Sequence, residues 1–138
     1  MFLCYFSLAS AGFVSMKKII LDTNALMAID EFELDIFSAL KESCDFPYQA
    51  AVLSKTMEEL GKIMEDQRLK YKKAAKMALE IIQKKKVLII ESEGDADDVL
   101  VDYSKKGYLI LTQDQGLKKR LKKPYLTIRQ KKRIIIID

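Results

Sequence analysis

Histidine is absent from the 138 residues, and cysteine occurs only twice. Without imidazole there is no Ser-His or Cys-His nucleophile, no H-E-x-x-H zinc site and no histidine-based ribonuclease. Carboxylates, lysines or bound metal must carry any chemistry. Cys4 and Cys44 are too few for a disulfide framework or a zinc site of the usual Cys spacing, so a reducing cytoplasm is the expected compartment. Glycine and proline are also scarce, at five and two, and there is no low-complexity tract, linker or internal repeat. A chain of this size buries roughly 70% of its unfolded surface, so one globular domain can hold together on an ordinary core.

Charge is short on one side of the chain and rich on the other. Residues 1–69 carry 6 Lys+Arg against 11 Asp+Glu, and residues 70–138 carry 18 against 9. The second half is therefore a candidate polyanion-binding surface, the plainer alternative being solvated helix faces. Residues 1–15 hold no charge at all. They lack the basic opening of a secretory signal and fall short of the roughly 20 residues that span a bilayer, so no membrane association is expected. Met16 opens MKKIILDTN, which reads as a complete first strand. The expectation is an N-terminal extension at 1–15, a misassigned start, followed by one domain at 16–138.

From Met16 onward, short β-branched runs alternate with helical stretches, the signature of a parallel α/β sheet. Strands are expected at 17–22, 49–54, 87–91, 108–112 and 125–128, with 133–137 adding an edge. Helical material is expected through Ser43, over 55–66, over 68–84, from the acidic loop at 93–98 to Gly107, and as a short basic helix over 115–122. Gly107 suits the left-handed position that ends a helix. Met27, Met57, Met64 and Met77 fall within helical patterns and are expected to be core filler.

The acids stand where strands hand over to helices. Asp22 closes the first strand and Asp114 follows the fourth. Glu59 lies one turn into the helix after the second, and Asp95, Asp97 and Asp98 open the helix after the third. Ligands bind an open parallel sheet in the crevice beyond its carboxyl ends, so four segments aim carboxylates at one rim. Each aspartate could equally cap a helix, and Glu59 could be an exposed helix residue. Capping explains each acid singly but makes no demand that they converge. Converging carboxylates repel unless a cation sits among them, and hard oxygen donors on an open site suit Mg²⁺ or Mn²⁺. Gly94 precedes the acids rather than following them, which excludes an EF-hand loop.

The runs Ile19-Ile20-Leu21-Asp22-Thr23-Asn24, Met57-Glu58-Glu59-Leu60, Asp97-Asp98-Val99-Leu100-Val101 and Ile110-Leu111-Thr112-Gln113-Asp114 resemble the four acidic motifs of the PIN domain nucleases. The resemblance runs from Met16 to the C-terminus. It implies a three-layer α/β/α fold around a central, mainly parallel sheet of about five strands, frequent homodimerisation, and a Mg²⁺- or Mn²⁺-dependent endoribonuclease that leaves a 5′-phosphate and a 3′-hydroxyl. By position, Asp22, Glu59, Asp97 and Asp114 match the acidic quartet, both catalytic and metal-binding. Asp22 and Asp114, with Asp97, would hold one metal, and Glu59 would orient a second metal or the water. Asn24 matches the polar residue of the first motif and is, with Asp95 and Asp98, a further candidate metal ligand. Asp95 and Asp98 compete with Asp97 for the third, and Asp97 best fits an acid-then-apolar order. Gln113 departs from the Asn or Arg common at its position. Lys118, Lys119, Arg120, Lys122 and Lys123 would hold RNA by charge without reading sequence.

The chain's ending resembles the archaeal single-domain branch related to ribosomal RNA processing PIN proteins more than the usual end of the VapC toxins. RNA processing, with a ribosome-assembly partner, is the resulting expectation. The alternatives are a VapC-like toxin whose acidic crevice a small antitoxin buries, and an inactive PIN module that binds RNA or protein.

Overall fold

An uninterrupted apolar run can form a strand only where both of its faces are covered. The computed structural model describes residues 16–65 and 68–138, and in it Ile19, Ile20 and Leu21 are fully buried. Ile19 and Leu21 join one apolar cluster with Leu26, Leu40, Leu60 and Ala75, while Ile20 joins another with Leu100, Ile110 and Leu117. Strand alternation thus sends neighbouring residues to opposite sides of one sheet, and helices cover both sides.

The elements in chain order are β1 (Lys17–Leu21), α1 (Thr23–Glu31), α2 (Ile36–Ser43), β2 (Tyr48–Leu53), α3 (Ser54–Met64), α4 (Leu69–Lys84), β3 (Leu88–Ile90), α5 (Ala96–Lys105), β4 (Leu109–Leu111), α6 (Gln115–Arg120), β5 (Tyr125–Arg129) and β6 (Arg133–Ile137). The sheet order is β3-β2-β1-β4-β5-β6, parallel throughout except that β6 runs antiparallel to β5. Helices α1 to α4 cover one face, and α5 and α6 the other. The expected α/β/α architecture is present, with the tail as a sixth strand. Burial of side chains such as Leu26, Leu40 and Leu60, worth about 1.5–3 kcal/mol each, anchors the thicker face.

Several boundaries differ from expectation. The stretch leading to Ser43 is two helices, broken where buried Leu34 turns inward and Asp35 caps α2 with its side chain. The basic helix ends at Arg120 rather than Lys122, because Leu121 packs into the core and Pro124 cannot continue a helix. Gly107 has φ +97°, the left-handed conformation expected of it after α5. The extension at 1–15, Cys4 within it, and Asp66 lie outside the described residues; Cys44 is buried as a free thiol. Among the described residues no helix is long and apolar enough to cross a membrane.

One face of α4 is built of alanine. Ala74, Ala75 and Ala78 are buried, and such small side chains let α4 lie close against α1 and α3.

Candidate active site

The sheet reverses its winding at β1. The chain steps outward through β2 and β3, then returns to place β4 on the other side of β1. After β1 the chain enters α1 on one face, and after β4 it enters α6 on the other, so a crevice opens at the carboxyl ends of these two strands. Asp22 and Asp114 stand at that point.

Asp22 is buried, at 7% exposure, with both carboxylate oxygens engaged. Oδ1 accepts the Thr23 N–H at 2.8 Å, and Oδ2 accepts the Thr112 hydroxyl at 2.7 Å. Asp114 caps α6 by accepting the Leu117 N–H at 3.1 Å, and its own N–H donates to Thr112 Oγ1 at 3.1 Å. One threonine hydroxyl therefore ties the two acids together. On the α3 side, the Thr23 hydroxyl donates to Glu59 Oε1. Asn24 Oδ1 accepts the Gln113 N–H at 3.0 Å, so the oxygen expected to ligate a cation is already engaged and the amide nitrogen remains as a donor.

Asp22, Glu59, Asp97 and Asp114 line one cleft of about 700 Å³ together with Thr23 and Asn24. Burial pushes the Asp22 carboxyl above its ordinary range against the pull of its Thr112 and Thr23 hydrogen bonds, and the charges of Asp97 and Glu59 push it further. Burial likewise raises Asp97, helped by the charges of Asp114, Asp95 and Glu59 and opposed by Arg120. Capping and convergence coexist here: Asp22 and Asp114 do both.

The third-motif cluster divides by role. Asp95 caps α5 by accepting the Asp98 N–H at 3.1 Å, and Asp98 pairs with Arg120 at 2.6 Å. Both are exposed and lie outside the cleft lining, which Asp97 joins. The helix begins at Ala96, with Asp95 as its cap, rather than at Asp97. Gln113 turns away toward β5, where its Oε1 accepts the Thr127 hydroxyl at 2.9 Å and the Ile128 N–H at 2.8 Å. It extends the β4–β5 pairing where the short β4 ends.

The basic residues expected on RNA divide too. Arg120 is committed to Asp98; Lys118 is half-buried, and its ammonium is pushed down by burial and by Arg129. Lys119, Lys122 and Lys123 are exposed, and none of the five lines the cleft. The cations that do line it are Lys62 and Arg68, joined by Tyr71, whose ring centre is 4.5 Å from the Arg68 guanidinium carbon. Sequence reasoning missed these three, and with them the roles of Thr23 and Thr112. Only the two threonines left a trace, each standing within two residues of a motif acid. Met27 lines the cleft and Met64 is 36% exposed, so neither is simply core filler.

Among the described residues no three acidic side chains are already gathered into a metal-ligand array. The donor set is nevertheless one of hard oxygens in an open cleft, where like charge adds to burial in raising Asp22 and Asp97. That fits a cation that keeps much of its water and binds one or two carboxylates directly, as Mg²⁺ and Mn²⁺ do.

Known proteins resemble this chain in sequence and in fold. The family described as PIN-like domain matches residues 19–131. The chain is 30% identical over 122 residues to Ribonuclease VapC9 of Archaeoglobus fulgidus, spanning 85% of this chain and 87% of that one. It is 25% identical over 123 residues to Ribonuclease VapC4 of Methanocaldococcus jannaschii, spanning 85% and 94%. Among solved structures, the PIN domain endonuclease Utp24 matches with a TM-score of 0.70 at 23% identity, covering 86% of this chain and 90% of that one. At that identity the likeness speaks for the fold.

Proposed function

The chain belongs to the PIN domain ribonuclease family, and from that premise we propose that it is a divalent-metal-dependent endoribonuclease hydrolysing RNA phosphodiester bonds. The observation that carries this reading is the meeting of Asp22, Glu59, Asp97 and Asp114, from four separate segments, in one cleft. Asp22, Asp97 and Asp114 would hold Mg²⁺ or Mn²⁺, which when bound acidifies a water and offsets charge on the scissile phosphate.

The chain's own residues position the reaction. Thr112 fixes Asp22 relative to Asp114, and Thr23 holds one oxygen of Glu59. The other Glu59 oxygen is left to orient the attacking water and accept its proton, with a 3′-hydroxyl leaving and a 5′-phosphate remaining. The Asn24 amide donates to a phosphate oxygen. Lys62 and Arg68 meet the RNA backbone beside the acids, and Lys118, Lys119, Lys122 and Lys123 extend that attraction beyond the cleft.

The VapC names of both sequence relatives favour the toxin of a toxin–antitoxin pair over RNA processing as the biological role. A small antitoxin then covers the acidic cleft. Incubation with single-stranded and structured RNA in Mg²⁺, Mn²⁺ or EDTA tests the activity: cleavage is expected with metal and not with EDTA. RNA left intact under both metals, or cut equally well in EDTA, overturns it.

A further inference from the structure

Tyr71 is shared by two concavities. One is the acidic cleft, and the other is a side lobe of about 240 Å³ between α1 and α4, lined by Met27, Asp30, Glu31, Lys70, Tyr71 and Ala74. Met27 and Glu31 also line both, so the lobe opens off the cleft. At the helical rise, Met27 lies about 7.5 Å and Glu31 about 13 Å along α1 from Asp22. An unstacked RNA strand covers that distance in one or two nucleotides.

The lobe brings three kinds of group together. Met27, Ala74 and the Tyr71 ring supply apolar and aromatic wall, and Lys70 Nζ stands 5.6 Å from the ring centre. Glu31 is exposed at the end of α1 and offers a carboxylate, which when ionised only accepts hydrogen bonds. Asp30 is the other acid, and it is drawn toward Lys73 at 3.8 Å. Among the four RNA bases, guanine alone presents two adjacent donors, N1–H and the 2-amino group, which a carboxylate can accept as a pair. Next to them is O6, an acceptor that lysine suits. Unpaired bases in RNA are held in this way, by stacking on aromatic rings and hydrogen bonding along the Watson–Crick edge.

Resting on the ribonuclease reading above, we infer that this lobe is a nucleobase subsite that selects an unpaired guanine near the scissile phosphate. Tyr71 stacks on the base, Glu31 accepts N1–H and the 2-amino group, and Lys70 donates to O6.

The test uses uridine-rich oligoribonucleotides carrying one central guanosine, adenosine, cytidine or inosine. Inosine keeps O6 and N1–H but lacks the 2-amino group. Binding is followed by fluorescence anisotropy in Ca²⁺ buffer, and cleavage sites are mapped separately in Mg²⁺ and Mn²⁺. The guanosine probe should bind about tenfold tighter than the inosine probe. Glu31→Gln should erase that ratio even where it strengthens binding overall by removing a negative charge. Tyr71→Ala should weaken the guanosine probe about tenfold while Tyr71→Phe leaves it near wild type. Circular dichroism of each variant confirms the fold. Equal binding of all four probes, no binding of any, or a guanosine preference untouched by Glu31→Gln overturns the subsite. Cleavage indifferent to the central base would sink the subsite and leave the ribonuclease reading standing. Guanosine-selective binding without cleavage in either metal would do the reverse.

Discussion

Asp22 at the start of α1 and Asp35 at the start of α2 do the same local work, each standing in extended backbone and accepting a main-chain N–H of the adjoining helix. Their surroundings drive them in opposite directions. Asp35 is exposed and collects the Ser38 N–H, the Ser38 hydroxyl and the Phe37 N–H, which hold its carboxyl below the ordinary range. Asp22 is buried with Asp97 and Glu59 nearby, and its carboxyl is pushed up. The difference teaches that one capping geometry can titrate in opposite directions, according to the burial and like charge that the fold adds to it.

The two shifts have opposite consequences for stability. A lowered carboxyl contributes stability that is present above the unfolded value near 3.8 and is lost as pH falls through its folded value. A raised one favours the folded state while protonated, and that advantage is lost as pH climbs from near 3.8 through the raised folded value. At neutral pH Asp35 therefore stabilises the metal-free fold and Asp22 destabilises it.

The comparison can be broken most sharply by activity. Asp22→Asn and Asp114→Asn should each lower RNA cleavage at least about a hundredfold, as loss of groups around a metal does, whereas Asp35→Asn should cleave like the unmutated protein. Equal losses in all three would erase the distinction between cap and site. Next in size is metal coupling. At a hundredfold excess over Kd, Mg²⁺ or Mn²⁺ should stabilise the fold by about 2.7 kcal/mol, measured as a rise in melting temperature. The rise should fade toward about pH 5, where protons compete for the same oxygens. It should persist in Asp35→Asn and shrink in Asp22→Asn and Asp114→Asn; indifference of the unmutated protein to both metals would refute a shared site.

Thr112→Val sharpens the contrast from the side of the partner. Losing the hydroxyl leaves Asp22 short of a donor and the Asp114 N–H short of an acceptor, a cost of about 1–3 kcal/mol by chemical denaturation. Asp22 should then titrate still higher, moving the acidic limb of the cleavage profile upward. An unmoved profile would mean that Thr112 does not hold the Asp22 charge. The smallest effect belongs to the ordinary cap: Asp35→Ala should cost about 1 kcal/mol at neutral pH, a difference that closes in acid. Metal-free Asp22→Asn should match or exceed the unmutated protein in the same neutral assay. If it is the less stable of the two, capping outweighs burial at Asp22.

Much of the frame was legible beforehand. The run Ile19-Ile20-Leu21 and its counterparts at β2 and β4 announced strands covered on both faces, and Gly107 marked the end of α5. Asp22, Glu59 and Asp114 were legible because position after a strand is a local property, and parallel sheets gather strand ends by construction. Within Asp95-Ala96-Asp97-Asp98 the sequence favoured Asp97 by pattern alone. Only the packed fold separates it from its neighbours, because Asp95 spends its oxygen on the Asp98 N–H and Asp98 on Arg120.

By itself, then, the sequence determined the alternation of strands and helices, the exclusion of imidazole chemistry and the ring of acids, since all of these depend on composition and on spacing within a few residues. The tertiary structure alone decided that Thr112 bridges two acids, that Gln113 serves β5 and that Tyr71 and Arg68 reach the cleft. Each of these depends on residues brought together from distant parts of the chain, and for Tyr71 on how closely the alanine face of α4 lies against α1. That separation along the chain leaves no local periodicity to read.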